Sequence, residues 1–296
     1  MTLVAGIDIS NPEKALFPDG TSKVDLARYY QQVAAAMLPH VRGRPLHMQR
    51  YPDGIEGEEI QQKQAPAYFP AFVQRVLVPR KRGGSIEQVV IDNAETLVYL
   101  AGQACVTPHT WLSRTAALDN PDLLVFDLDP SNGELAALRE GARALRDLLR
   151  KVGLRPYLKS TGSRGFHVLA PLDAKAGFEE VRAFARSMAE RVIDADPQNF
   201  TIEQRKDRRG ERVYLDLARN GYGQTAVAPY AVRALDGAPV AVPLDWEELG
   251  RAEPRRFTMH NVLRRLARKR DPWADLYEQA GSIAQARARL TQLSQP

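Results

Sequence analysis

The sequence predicts an α+β fold, and three observations carry that reading. Strand-like and helix-like segments mix without a strict strand–helix–strand rhythm, which disfavours a doubly wound parallel sheet. The apolar run Leu123-Leu124-Val125-Phe126 ends in Asp127-Leu128-Asp129, as a buried strand does when its end opens on a cleft. Hydrophobic residues make up 44% of the 296 positions and charged residues 26%. That supplies a sizeable core with no need of a metal or disulfide staple.

The elements follow in chain order. Asn11-Pro12-Glu13-Lys14 precedes the apolar Ala15-Leu16-Phe17, and Pro18-Asp19-Gly20 is turn chemistry. A helix is predicted from Lys23 to Leu38, with Leu26, Tyr30, Val33 and Met37 on one face. Thr21 or Ser22 caps it and Pro39 stops it. Arg44 to Arg50 reads as a strand, with Tyr51-Pro52-Asp53-Gly54 as its turn. Residues 55–85 are polar and interrupted by prolines. Val89 to Asp92 reads as a short strand and Ala94 to Ala104 as a helix. After the acidic strand, Leu135 to Val152 is amphipathic and ends at Gly153. Strands are predicted at Pro156 to Lys159 and Phe166 to Ala170, and a helix at Phe178 to Ile193. Arg212 to Leu217 is a strand carrying Asp216, and Ala226 to Val232 is a further strand candidate. From Arg251 to Arg270 there are eight Lys and Arg residues against one acid, Glu253.

Composition narrows the function classes. A single cysteine, Cys105, excludes an intrachain disulfide and a multi-cysteine zinc site. No apolar run approaches the roughly 20 residues of a membrane helix. Met1 to Ser10 lacks the basic-then-apolar pattern of a signal peptide. These features predict a cytoplasmic protein with no membrane partner. The balance of 41 basic and 36 acidic residues gives a net charge of +5, which permits an anionic partner without requiring one.

Side chains two apart on a strand share a face, so Asp127 and Asp129 project the same way. Two acids so placed repel and lose hydration unless a cation compensates, and a hard divalent cation is the economical partner. A strand end whose acids meet solvent is the competing reading. Asp216, on the apolar strand Val213-Tyr214-Leu215-Asp216-Leu217, is a third strand-borne acid. Together the three could form a two-metal phosphoryl-transfer platform. By itself Asp216 reads better as a surface acid paired with Arg212 or Arg219.

Ser160-Thr161-Gly162-Ser163-Arg164-Gly165-Phe166-His167 joins two strands. Its glycines expose backbone N–H groups which, with the hydroxyls and Arg164, make an anion nest, and a plain hairpin is the alternative. Arg205, Lys206, Arg208, Arg209 and Arg212 precede Asp216, while Arg219, Asn220, Gln224 and Arg233 follow it. Basic groups beside a carboxylate cluster suit a nucleoside triphosphate.

The order of Asp127-Leu128-Asp129, the Ser160–His167 turn and Tyr214-Leu215-Asp216 resembles the three motifs of the archaeo-eukaryotic primase superfamily. Asn11-Pro12-Glu13-Lys14, Phe126-Asp127-Leu128-Asp129-Pro130 and Ala228-Pro229-Tyr230-Ala231-Val232-Arg233 are similar to the polymerase domain of bacterial DNA ligase D. The likeness runs from about Asn11 to Leu249. It implies a primase-like α+β core with mixed and antiparallel sheets flanked by helices. It implies that Asp127, Asp129 and Asp216 are catalytic ligands for two Mn²⁺ or Mg²⁺ ions, and that an NTP or dNTP is the substrate. Thr161, Ser163, Arg164 and His167 would hold the triphosphate, joined by Arg209 and Arg233, with His109 near the sugar. A ribonucleotide preference follows from the family. Asn11, Lys14 and Lys23 match a pocket for a DNA 5′-phosphate. The implied partners are DNA with gaps, overhangs or double-strand ends, together with Ku and a DNA ligase. The implied division is a recognition module at 1–115, a catalytic core at 116–250 and a basic helical tail at 251–296, joined as one compact unit.

The sequence departs from the family in two places. Many relatives carry paired aromatics where this chain has Ile60 and Gln61, just before Gln62-Lys63-Gln64. Arg164 stands where lysine is frequent, which changes a point charge to a fork. No ligase or phosphoesterase segment accompanies the motifs, so a stand-alone polymerase and an excised domain are both open. Competing functions are a non-catalytic DNA-end synapsis module, a gap-filling polymerase of excision repair, and a haloacid dehalogenase-type phosphohydrolase. Pro130-Ser131 after the second acid argues against the last.

Overall fold

The computed structural model describes residues 2–131 and 135–293. Met1 and the last three positions of the predicted tail lie outside them. The backbone gathers into two units that interleave along the chain. One comprises Met1–Ala116, Thr225–Val242 and Phe257–Arg270, and the other Ala117–Gln224, Pro243–Arg256 and Asp271–Pro296.

In the first unit a helix runs Lys23–Val41. Ser22 is its cap: the Asp25 N–H donates to the Ser22 hydroxyl, and the Ser22 N–H donates to the Asp25 carboxylate at 3.0 Å. Pro39 lies inside the helix instead of ending it. In the last turn a proline forfeits only its own N–H, and the Arg42 N–H still closes on the Leu38 carbonyl at 3.0 Å. The helix Ala94–Gly102 packs beside it.

Behind the helices lies an antiparallel sheet in the order Thr225–Val227, Cys105–Trp111, Leu46–Arg50, Ile60–Gln62. The buried Tyr30 hydroxyl ties helix to sheet by donating to the Val106 carbonyl at 2.7 Å and accepting from the Val232 N–H at 3.2 Å. A separate hairpin, Arg75–Pro79 with Ser85–Val89, fills the region that reads as polar and proline-interrupted. The predicted Val89–Asp92 strand is therefore the end of that second arm, and Val90 adds a bridge to Pro45.

The second unit is built on a six-stranded sheet. Its order is Phe200–Thr201, Val213–Asp216, Leu123–Asp129, Phe166–Pro171, Tyr157–Ser160, Pro243–Leu244. Only the first pair is parallel. The helices Leu135–Lys151 and Phe178–Ala195 pack on each other and on the sheet. Leu138, Leu145 and Leu149 of the first helix are completely buried, each contributing about 1.5–3 kcal/mol of transfer free energy. The segment after 250 is helical only in short pieces, at Val262–Leu266 and Ile283–Gln292, with 3₁₀ turns at Trp246–Arg251 and Leu276–Gln279. Among the described residues, no helix is long and apolar enough to cross a membrane.

Candidate active site

Strand register aligns the polar side chains of the second unit. Asp216 is partnered with Asp127, Asp127 with His167, and His167 with Lys159, in a row across four strands. Asp129 lies two residues along from Asp127, opposite Tyr214. The three predicted acids thus fall on two adjacent strands, side by side.

Two arginines and a histidine hold these acids. Arg219 Nε is 3.4 Å from Asp127 Oδ2 and 3.8 Å from Asp216 Oδ2. His167 Nε2 is 3.4 Å from Asp127 Oδ1. Arg164 Nη2 donates to Asp129 Oδ2 at 3.0 Å. Burial opposes ionisation of Asp127, but His167 and Arg219 outweigh it and hold its carboxyl well below the usual range. Burial pushes His167 below an ordinary imidazole in spite of Asp127. A neutral His167 donating to an ionised Asp127 satisfies both groups. Asp129 is raised, by burial above all and by the like charge of Asp127, against the pull of Arg164, Arg209 and Lys206.

Asn220 fixes the turn that carries Arg219. It is completely buried. Its amide oxygen accepts from the Val125 N–H at 2.9 Å and its amide nitrogen donates to the Val125 carbonyl at 2.7 Å. The Ala218 N–H donates to Asp216 Oδ1 at 2.8 Å.

The Ser160–His167 turn lies against the acidic strand. A Cβ on Gly165 would sit 1.8 Å from the Leu128 carbonyl oxygen, so only glycine fits. Gly162 has φ +65°, a left-handed conformation suited to glycine. Two N–H groups of the turn, from Ser163 and Gly165, donate to Thr161 Oγ1 at 3.2 Å each. They are spent inside the turn, contrary to the expected nest of outward N–H groups. Arg164 is exposed at the rim while Thr161 and His167 are buried.

Arg209 stacks 3.6 Å over the Tyr214 ring and donates to the Glu203 and Gln204 carbonyls. The Tyr214 hydroxyl is 3.4 Å from Asp216 Oδ1. Burial first, then that carboxylate, pushes it up to about 12.

His109 and Arg233 belong to the first unit. His109 sits on the Cys105–Trp111 strand across from His47, their ring centroids 6.3 Å apart. Arg233 follows the Val232–Val240 bridge, its N–H donating to the Pro239 carbonyl at 2.7 Å.

Asn11, Lys14 and Lys23 are brought together in the same unit. The Lys23 N–H donates to the Lys14 carbonyl and the Lys14 N–H to the Asn11 carbonyl. Lys14 Nζ is 2.8 Å from Asp53 Oδ1, and Lys23 Nζ donates to the Ser10 carbonyl at 2.7 Å. Lys23 is 7% exposed, and its pKa is lowered by burial, then by Lys14 and Arg50. A buried cation among like charges gains from a bound anion.

Among the described residues, no group of three or more His, Cys, Asp or Glu side chains closes on a point that could hold a metal. The donor chemistry of Asp127, Asp129 and Asp216 nevertheless fits a hard divalent cation, and arginines balance the carboxylates in this structure. The sequence carries no signal for Lys159. It sets Arg219 and Asn220 among the groups that suit a nucleoside triphosphate, with Arg219 also read as a surface partner of Asp216, and does not foresee the Asn220 clamp. The spacing of three from Asp216 was the available signal.

The chain matches the family model described as LigD, primase-polymerase domain, over residues 22–273. The chain belongs to this family. Proteins named LigD share this likeness over part of their length. The Multifunctional non-homologous end joining protein LigD of Mycobacterium bovis is 35% identical over 96% of this chain and 38% of its own length. That of Pseudomonas aeruginosa is 34% identical over 92% of this chain and 33% of its own. The Bifunctional non-homologous end joining protein LigD of Bacillus subtilis is 32% identical over 86% of this chain and 41% of its own. The chain thus spans about a third to two fifths of the length of these relatives. Among solved structures, the polymerase domain from Mycobacterium tuberculosis ligase D in complex with DNA superposes with a TM-score of 0.86. It has 33% identity over 93% of this chain and 99% of that one. The expected primase-like α+β fold is borne out. Membership of the LigD primase-polymerase family makes the chain a polymerase-type nucleotidyltransferase, with a nucleoside triphosphate substrate and a divalent metal cofactor.

Proposed function

We propose that the chain adds nucleotides, directed by a template, to the 3′ end of DNA at short gaps and broken ends during non-homologous end joining. It works on chromosomal DNA in the nucleoid, alongside Ku and a DNA ligase. The observation that carries this is the row of Asp216, Asp127 and His167 across adjacent strands, with Asp129 beside it and the Arg164 turn against it. The reading is supported by relatives named for non-homologous end joining and by a solved polymerase domain described as in complex with DNA.

In this reading Asp127, Asp129 and Asp216 hold two divalent cations, preferably Mn²⁺, which when bound acidify the attacking 3′-hydroxyl and offset the triphosphate charge. Arg164 and Ser163 receive the triphosphate, helped by Thr161 and His167, and Arg209 and Arg233 add charge. His167 orients Asp127 through its Nε2. His109 lies near the sugar and supports a preference for ribonucleotides. Lys14, Lys23 and Asn11 take the 5′-phosphate of the downstream strand, which makes 1–115 the recognition module and 116–250 the catalytic core. Positioning and charge compensation are where phosphoryl transfer gains most of its rate.

Primer extension on a gapped duplex bearing a 5′-phosphate tests this. Metal-dependent addition that follows the template and prefers ribonucleotides is expected. Asp127→Ala or Asp216→Ala should abolish addition and leave DNA binding nearly intact. Tight binding with no addition under Mn²⁺ or Mg²⁺ would assign the chain to non-catalytic end synapsis. Changing Lys14 and Lys23 together to Met should lower affinity for the phosphorylated gap to that for the unphosphorylated one. A wild type that binds both gaps equally removes the phosphate assignment.

A further inference from the structure

In the first unit, the segment leading into Arg233 is held from several sides. Tyr230, Ala231 and Val232 are buried, and each backbone N–H and carbonyl of the three is engaged. The Tyr230 N–H donates to the Ala241 carbonyl at 2.6 Å and the Ala231 N–H to the Ala228 carbonyl at 3.2 Å. The Ala241 N–H donates to the Ala231 carbonyl at 3.0 Å. Side-chain hydroxyls make the other three bonds. Tyr29 donates to the Tyr230 carbonyl at 2.7 Å, and Thr107 donates to the Val232 carbonyl at 2.7 Å. Tyr30 accepts from the Val232 N–H at 3.2 Å.

The segment needs this grip. Tyr230 has φ +62°, in the left-handed region where a bulky side chain is strained. Such a conformation persists only where its surroundings over-determine it. Three residues later the Arg233 N–H is fixed to the Pro239 carbonyl at 2.7 Å. Tyr29 and Tyr30 are neighbours in the Lys23–Val41 helix. Consecutive helix residues point about 100° apart, so the two hydroxyls reach the segment from different directions. Their rings meet edge-on at 5.3 Å. Burial pushes both phenols well above their ordinary value, so each keeps its proton. Phenylalanine would fill the same core volume without a polar atom to satisfy. What the hydroxyls add is the hold on Tyr230 and Val232.

We propose that Tyr29 and Tyr30 are positioning residues of the nucleotide site: their hydroxyls lock the left-handed turn at Tyr230, and the locked turn presents Arg233 to the triphosphate. The proposal rests on the reading that Arg233 adds charge to the triphosphate site. A guanidinium on a fixed backbone loses less freedom when an anion binds than one on a loose loop. Thr107 holds the same segment from the sheet, on the side opposite the helix, so the three hydroxyls act on one short stretch of backbone.

The test is a double-mutant cycle on the full chain, read as KM for the nucleoside triphosphate and kcat on a gapped duplex with Mn²⁺. Tyr29→Phe and Tyr30→Phe should each raise KM about fivefold, the worth of one hydrogen bond, with kcat within about twofold. In the Arg233→Ala background the same changes should move KM by less than about twofold, because the group they position is gone. Affinity for the gapped duplex, read by fluorescence anisotropy, should stay at the wild-type value, since the helix is intact. Should Tyr30→Phe fail to fold, Tyr29→Phe and Thr107→Val, which frees the Val232 carbonyl, carry the same test. A KM effect of equal size with and without Arg233 overturns the proposal and leaves the Arg233 reading standing. So does an unchanged KM in Tyr29→Phe, or a loss of DNA affinity in step with the rise in KM. An unchanged KM in Arg233→Ala overturns the Arg233 reading, and the proposal with it. A wild type that adds no nucleotide overturns both together with the functional reading.

Discussion

Arg219 reaches both Asp127 and Asp216, so the acid pair carries its own counter-ion. Removing that guanidinium leaves two neighbouring carboxylates facing each other. Arg219→Gln should therefore destabilise the metal-free protein by about 1–2 kcal/mol, a figure moderated because Arg219 is partly exposed. A bound cation stabilises in proportion to how much better it is accommodated than the free state. Mn²⁺ should thus raise the melting temperature more in Arg219→Gln than in wild type. Equal Mn²⁺ shifts in scanning calorimetry would sink the counter-ion role. The acids themselves were legible in the sequence because strand alternation fixes the facing of Asp127 and Asp129. The bridging by Arg219 was not, because it depends on the register that sets Asp216 against Asp127.

Elements show where local pattern and tertiary context part company. The helix at 23–41 and the strands around Asp127, His167 and Asp216 follow hydrophobic periodicity, and they stand close to their expected bounds. The Cys105–Trp111 strand has no such signature. Pro108 inside it argues against an interior strand, yet the strand pairs on both sides, with Leu46–Arg50 and Thr225–Val227. The hairpin Arg75–Pro79 and Ser85–Val89 was hidden by charge and glycine, although Gly83 and Gly84 adopt the positive φ its turn requires. The 3₁₀ turn at Ala218–Asn220 shows how one polar side chain can govern an element. Asn220→Ala would strip partners from both the N–H and the carbonyl of buried Val125. A loss of about 2–4 kcal/mol in urea unfolding is expected. A change below a few tenths of a kcal/mol would mean that the clamp is dispensable.

At the scale of the molecule, the two units exchange chain segments, which no contiguous reading of the sequence captures. Hydrophobic pattern marks elements but not which distant segments complete a sheet. Cys105 offers a probe of the first unit. It is the one cysteine of the chain, it sits in an interior strand, and burial pushes its thiol up to about 12. A thiol reagent at pH 8 should label it only as fast as that unit opens. Rapid labelling of the native protein, compared with the urea-unfolded chain, would contradict the buried strand.

The interleaving also constrains the order of events on the ribosome. Residues 1–116 are translated before the rest of their unit, so the sheet they build lacks the Thr225–Val227 edge strand, and the unit lacks Phe257–Arg270, until both have followed. The later unit meanwhile waits for Pro243–Leu244 to finish its own sheet. Neither unit can close while the chain grows in the usual domain-by-domain manner. Nascent apolar surface from both stays uncovered together until the segment ending at Arg270 has been translated.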